Sequence, residues 1–470
     1  MAVPRCNVTG FTCSDSDGWA KIAFIQCRIY SMLQRKNVRA VVWVIAFGLT
    51  FASVYLILSH SSPYKIVKMV YRRMRSKFGP AEPTPTFPPG MWVRGRDETK
   101  LSPEQREEME KLAAIGYTSG YSPATSRTGV TIYDRNTAFD GLNFYTSGHA
   151  PEAILMNMKG EELHKWHLDF DQFSPDRRPT GLDRTTFWRR AHLFENGDIL
   201  AIFEGLGLIK LNKDSKLLWG FQGGAHHDLD VLEDGTIYVL TRAPKILPSI
   251  NPDHPVLEDF ITVLDAQGKV KNNVSIVKAI ESSAYAGIIR KTSMIGDIFH
   301  TNAIRFLDGS LESKAPFLKK GNVLISLCYT DTLAIVDMEQ SKVVWALSGE
   351  WKRQHDPVLL SSGHLLLFDN EGPSQKRSRV LEMDILTGQI FWSYESPLFY
   401  SPILGSNKRL PNGNTLISES WFGRSFEVTP DHKIVWEFHN PHRAGSNQKF
   451  VAVLPDLERV PISQAGWLKR

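Results

Sequence analysis

Three histidines occupy one place in a recurring pattern. His227 lies eight residues before Gly235, His355 eight before Gly363, and His300 nine before Gly309, in the contexts GAHHDLD, RQHDPVLL and IFHTNAIRF. A lone histidine is more often a satisfied structural side chain than a reagent, but three in register are brought together by any fold that converges that position. Converging imidazoles serve two chemistries. One is a three-His metal site with an open position, as in a zinc or iron hydrolase or oxygenase. The other is group transfer, with one imidazole as nucleophile and the others as acid, base or oxyanion donors. A sulfuryl or phosphoryl group in flight spreads negative charge over its non-bridging oxygens, so histidine and arginine are the donors it requires. No Gly-rich phosphate loop precedes a helix, which argues against a nucleotide-bound donor.

The elements that must position these histidines follow from a repeat. Segments closing on Trp recur as EELHKW (Trp166), DSKLLW (Trp219), QSKVVW (Trp345), TGQIFW (Trp392) and DHKIVW (Trp436), with DAQGKV at Val270 filling the long gap. The spacings are 53, 51, 75, 47 and 44 residues, close to the length of a four-stranded propeller blade with one insertion. Between them sits a second half-motif with a turn between apolar strands: AHLFENGDILAIF, DLDVLEDGTIYVL, PVLLSSGHLLLF and KRLPNGNTLIS. Two hairpins per unit and six units predict an all-β, six-bladed β-propeller over residues 129–470, with no helix-period segment of any length. A β-sandwich or two β domains would also hold tandem strands, but a constant unit repeated six times favours radial closure. The first strand of each blade then lines the channel, where the three histidines converge, and the Trp residues read as blade-packing core.

The rest of the chain reads differently. Residues 40–59, AVVWVIAFGLTFASVYLILS, carry no charge over the length a helix needs to cross a bilayer. The segment begins too far from Met1 for an ordinary cleaved signal peptide, so it is expected to be a retained anchor. The expected organisation is a tail (1–38), a single transmembrane helix (39–60), a basic flank and Pro-rich stalk (61–100), and a short helix and linker (101–128) in which Ser102-Pro103-Glu104-Gln105 forms a capping box. Twelve basic and two acidic residues precede residue 78, so the formal +5 of the chain becomes about −5 in the remainder. The basic excess belongs to the anchor, which removes the support for a nucleic-acid partner. Cys328 is the sole cysteine of the large domain, which excludes an internal disulfide and a Cys-based zinc module there.

The ordered segments GLNFYTSGHAPEAILM, HHDLDVLEDGTIYVL, HTNAIRF, VLISLCYTDTLAIVDMEQSKVVWAL, QHDPVLL, LFDNEG, SRVLEMD and FYSPILG, from about Gly129 to Arg443, resemble the arylsulfotransferase (aryl-sulfate sulfotransferase, ASST) family. The resemblance implies a six-bladed propeller that moves a sulfuryl group from a phenolic sulfate ester to a phenol through a sulfated histidine. Neither phosphoadenosine phosphosulfate nor any other cofactor takes part. It assigns His355 as the sulfated residue and His227 and His300 as channel histidines assisting donor and leaving-group oxygen. It also implies a sulfate-binding arginine in the strand after HTNAI, where this chain has Cys328. A thiol cannot replace a guanidinium's bidentate grip, so either Arg379, ranked first, Arg242 or Arg424 compensates, or sulfuryl transfer is weakened or lost; Arg379, Arg242 and Asn302 are the expected substrate-binding side chains.

Two further readings stand beside the enzyme: a propeller that only binds a sulfated ligand, and a metal-dependent channel site. The Trp repeats also resemble quinoprotein dehydrogenase blades, but six units without an acidic metal cluster or vicinal cysteines match these poorly. Local charge weakly favours a cytosolic domain by the positive-inside rule, whereas the resemblance implies an exported one. An exported, single-pass arrangement, periplasmic or lumenal, is the expectation.

Overall fold

The computed structural model describes residues 91–94, 127–176, 185–372, 377–444, 448 and 450–469. The apolar run at 40–59, the Pro-rich stalk at 81–90 and the helix after Ser102 lie outside them. Among the described residues no helix is long and apolar enough to cross a membrane.

The two half-motifs fold into six four-stranded antiparallel blades. Blade 2 is Arg190–Leu193, Ile199–Phe203, Gly207–Leu211 and Leu217–Phe221; blade 3 is Ala225–Val231, Ile237–Leu247, Asn251–Leu264 and Val270–Ser275. Blade 4 is Thr301–Phe306, Val323–Leu327, Thr332–Asp337 and Lys342–Ser348; blade 5 is His355–Leu359, His364–Asp369, Arg379–Asp384 and Ile390–Glu395. Blade 6 is Ser406–Arg409, Thr415–Glu419, Arg424–Val428 and Ile434–His439, and Gly129–Tyr133 adds a fifth strand to its outer edge. Blade 1 takes its second to fourth strands from Leu142–Thr146, Glu152–Met156 and Glu162–His167, but its innermost strand is the distant Asp456–Val460. The two ends of the propeller sequence thus close the ring within one sheet.

Each Trp-closing segment is the fourth strand out from the axis of its blade, and four of the five tryptophans clasp neighbouring blades. Trp166, Trp219, Trp392 and Trp436 donate their indole N–H to the carbonyls of Gly197, Ala266, Pro430 and Met158, each in a turn of the next blade. The turn glycines Gly197, Gly235, Gly363 and Gly413 all have φ between +83° and +87°, a conformation that L side chains resist. Apolar side chains of adjacent blades share a separate core at each of the six seams. Burial at these seams, at about 1.5–3 kcal/mol per large apolar side chain, holds the ring together.

The structure differs from the strand-only expectation at the long gap in the repeat. There, after blade 3, the chain forms a short α-helix, Ile276–Glu281, and a 3-10 helix, Ala286–Lys291. Ile276, Val277, Ala279 and Ile280 of the α-helix pack into the seam between blades 3 and 4.

Candidate active site

The six innermost strands place alternating charge around the axis. Arg190 of blade 2 reaches Asp228 of blade 3 at 3.1 Å and Asp456 of blade 1 at 3.3 Å. Arg305 of blade 4 pairs with Asp228 at 2.5 Å and also with Asp356 of blade 5. Asp356 in turn accepts the backbone N–H of Asn407 in blade 6 at 2.8 Å. This belt ties all six blades together, and in blades 2, 3 and 5 it lies one residue along the chain from a further set of side chains near the strand starts. Those are Arg189, His227 and His355, with His300 immediately before the blade 4 strand.

At the histidines the strands break register. Bulges fall between Ala225 and Leu229, Thr301 and Ala303, and His355 and Val358. His227 and His300 have φ of +54° and +51°, and Asp356 +47°. Left-handed backbone at non-glycine residues costs energy and gathers at functional sites, and bulges re-aim side chains.

Two of the three predicted histidines touch, and His355 feels the charge of Arg189 and His300 while its own hydrogen bonds go elsewhere. His227 Nε2 lies 3.2 Å from His300 Nε2. His227 Nδ1 is 2.9 Å from His226 Nδ1, and His300 Nδ1 is 2.6 Å from Asp297 Oδ2. With all rings neutral, His226 Nδ1–H donates to His227, His227 Nε2–H to His300, and His300 Nδ1–H to Asp297; with His300 protonated, His300 Nε2–H donates to His227, and His227 Nδ1–H to His226 and toward Glu204 Oε1 at 3.3 Å. His355 Nδ1 faces only acceptors, Asn370 Oδ1 at 2.8 Å and the Arg353 carbonyl at 3.0 Å. Asn370 cannot be turned over, because its Nδ2 donates to the carbonyls of Ser401 at 2.7 Å and Leu404 at 2.5 Å. His355 therefore carries its proton on Nδ1 and keeps a lone pair on Nε2. Burial, followed by the positive charge of Arg189, holds its pKa down to about 3. Burial, then His300 and Arg189, hold His227 well below the ordinary histidine value. Both rings are neutral at neutral pH.

The predicted substrate-binding residues have different fates. Arg242 sits in the cluster, its Nη2 2.9 Å from Glu204 Oε1, and Glu204 Oε2 accepts the backbone N–H of His227 at 2.9 Å. Burial pushes the Glu204 carboxyl up, but Arg242, His226 and Arg189 outweigh it and hold it below the usual range. Asn302 donates to the Gln354 carbonyl at 2.8 Å and steadies the residue before His355, while its Oδ1 is buried without a partner. Arg379 opens the third strand of blade 5, and its Nε is committed to Asp369 at 2.8 Å. Arg424, in the third strand of blade 6, is held by Glu437 at 2.7 Å and Glu419 at 3.2 Å. Arg424 is thus held on two sides, whereas Arg379 commits only its Nε.

Sequence reasoning missed Arg189. It is 7% exposed, yet among the described residues no carboxylate lies within ion-pair distance of its guanidinium. Burial lowers its pKa and Glu204 partly restores it, and its charge acts on both His227 and His355. A buried cation left open beside imidazoles is suited to an anion. At Cys328, burial pushes the thiol up to about 12, so it stays uncharged. Its neighbour Tyr329 stacks on His300 with ring centroids 4.6 Å apart, and Arg353 lies 4.5 Å over the Tyr329 ring.

Fold and site together define a six-bladed propeller with a histidine-lined channel centre. Over residues 190–441 the chain matches the arylsulfotransferase (ASST) family, and it belongs to that family. Membership supports aryl sulfotransferase activity as the class of reaction, with phenolic sulfates and phenols as the substrate classes. No curated protein matches the chain. Similar solved structures include a protein of unknown function from Bacteroides caccae, at 13% identity over 67% of this chain and 99% of that one, with a TM-score of 0.44. A streptogramin B lyase is similar at 12% identity over 71% and 93% of the two chains, with a TM-score of 0.39. Virginiamycin B lyase from Staphylococcus aureus is similar at 11% identity over 54% and 69%, with a TM-score of 0.33. Likeness at this level bears on neither substrate nor mechanism.

Proposed function

We propose that this protein transfers a sulfuryl group between phenols through a sulfated His355, without phosphoadenosine phosphosulfate. The observation that carries the reading is the fixed tautomer of His355, whose Nδ1 is held by Asn370 Oδ1 and the Arg353 carbonyl so that a neutral Nε2 is the nucleophile. In the first half-reaction Nε2 forms a bond to sulfur as the S–O bond to the donor phenol breaks, and the departing phenolate takes a proton from His300, which enters the step as the imidazolium paired with Asp297 and leaves it neutral. In the second, an acceptor phenol loses its proton to His300 as its oxygen attacks sulfur, and the N–S bond breaks to restore His355. Arg189 holds the non-bridging sulfuryl oxygens, in place of the arginine expected where Cys328 stands. Arg242 keeps Glu204 ionised beneath His227 and is a positioning residue.

A metal-dependent reading has one observation in its favour. Ligand atoms of Glu204, His226 and His227 lie within 4.8 Å of one another. Arg242 already occupies Glu204, however, and Arg189 adds a second positive charge, so the cluster is better suited to an anion than to a cation. A binding-only propeller loses its motive once Arg189 supplies the missing guanidinium. The same reading includes a membrane helix at 39–60 and an exported propeller, which protease protection in sealed membranes tests. For the chemistry, initial rates with an aryl sulfate and a phenol should give parallel double-reciprocal lines; intersecting lines, or turnover by His355→Gln, contradict it.

A further inference from the structure

At the seam where blades 6 and 1 close the ring, side chains with no part in sulfuryl transfer converge. His149 lies in the turn between the second and third strands of blade 1, Glu152 opens that third strand, and His442 follows the fourth strand of blade 6, Ile434–His439. Ligand atoms of the three lie within 4.8 Å of one another. His149 Nε2 is 2.6 Å from Glu152 Oε1, whereas His442 Nε2 is buried with no hydrogen-bond partner. The two imidazoles stack with centroids 3.2 Å apart and planes at 7°. A buried ring nitrogen left unpaired is costly, and its neighbours here are a second imidazole and a carboxylate. His167, paired with Glu152 across the sheet, brings Nδ1 to 3.8 Å from Glu152 Oε2 and offers a further nitrogen. Ser147 Oγ lies 2.9 Å from His149 Nδ1 and accepts from Asn440 Nδ2 at 2.8 Å. That outer contact orients His149 with Nε2 toward the cluster, as second-shell partners of metal-bound histidines do. Lys165 Nζ, 3.5 Å from Glu152 Oε2, is 45% exposed and can turn into solvent when a cation takes that oxygen.

We propose that His149, Glu152 and His442 bind a transition-metal ion, best matched by Zn2+, that clips blade 6 to blade 1. Imidazole nitrogens with one carboxylate are a zinc set, whereas Ca2+ or Mg2+ would require more oxygens. Coordination turns the two rings out of their stack so that both Nε2 atoms face the ion. The location gives the ion a structural task. Packing, hydrogen bonds and the buried Arg459–Glu427 ion pair already join the two blades, and Gly148 bonds Met91 and Val453, so the ion adds a clip at the edge of an existing closure.

The test uses the full chain, stripped with a chelator and titrated with Zn2+ alone, with Co2+ as a spectroscopic substitute. Binding of about one equivalent is expected, with a rise in unfolding temperature and the visible bands of a tetrahedral nitrogen and oxygen site. His442→Ala and Glu152→Gln should each abolish binding and that rise while keeping the wild-type circular dichroism. Glu204→Gln, in the channel cluster, should leave both intact. The proposal is overturned if folded wild-type protein binds no Zn2+, which leaves a hydrogen-bonded His149–Glu152 pair only. It is equally overturned if Glu204→Gln loses the ion while His442→Ala retains it.

Discussion

Asn370 Oδ1 accepts the Nδ1 proton of His355 at 2.8 Å, and with the Arg353 carbonyl it leaves the lone pair of the imidazole on Nε2. The amide is pinned by the carbonyls of Ser401 and Leu404, so the orientation belongs to the blade and not to a mobile side chain. Asn370→Ala frees the ring to exchange tautomers. It should lower kcat roughly tenfold, the effect of losing one orienting hydrogen bond of about 1.4 kcal/mol. The fold should be unchanged by circular dichroism. Steady-state rates equal to wild type would mean that the Arg353 carbonyl alone fixes the ring.

On the proposed mechanism Arg189 holds the sulfuryl oxygens, and its charge counts most against the transition state. Arg189→Met should lower kcat/KM on the order of 10²–10³-fold, the scale of losing one preorganised donor. Arg189→Lys should recover only part of this, because an ammonium lacks the planar fork. Arg379→Met, which breaks an ion pair with Asp369 instead, should leave kcat/KM within a few-fold of wild type. The opposite ranking of Arg189 and Arg379 would restore the expectation drawn from the FDNEG segment.

The position of Arg189 was within reach of the sequence. It lies eight residues before Gly197, the same interval that separates His227 from Gly235 and His355 from Gly363. The glycine ruler, applied to every blade and not only to histidines, ends on Arg189 in blade 2. The Trp segments were equally legible, because each is the fourth strand of its blade and most clasp the next blade. Asp456–Val460 was not, since it carries no Trp and its partners lie more than 300 residues away. The helix Ile276–Glu281, at six residues, is too short to show a 3.6-residue period. Nor could residue types reveal the bulges that aim the histidines, because they arise from pairing register.

Stability should fall in acid. His355 is depressed from 6.5 to about 3, and His226 likewise to about 3, both first by burial. The unfolded chain therefore binds more protons than the folded one in this interval, so stability is full above pH 6.5 and is lost as pH falls toward 3. Asp259 and Asp456, raised to about 6 mainly by burial, act in the opposite sense between 6 and 3.8. Subtracting His355→Gln from wild type isolates one histidine. Denaturant unfolding at several pH values should show a shallower acid loss in the variant; equal slopes would mean that His355 is not buried neutral.

The clasp tryptophans should differ in weight by burial. Trp436 is fully buried and donates to Met158 across the closing seam, so Trp436→Ala should cost about 3–5 kcal/mol. Trp392 is only partly buried, and Trp392→Ala should cost clearly less. Equal losses in denaturant midpoints would show that the closing seam carries no special load.

The most direct measurement is the mass of the protein after incubation with an aryl sulfate in the absence of acceptor. One added SO3 group on the peptide containing His355, discharged by a phenol and absent from His355→Gln, is the expected result. Turnover without any covalent adduct, or an adduct on a residue other than His355, would contradict transfer through this histidine.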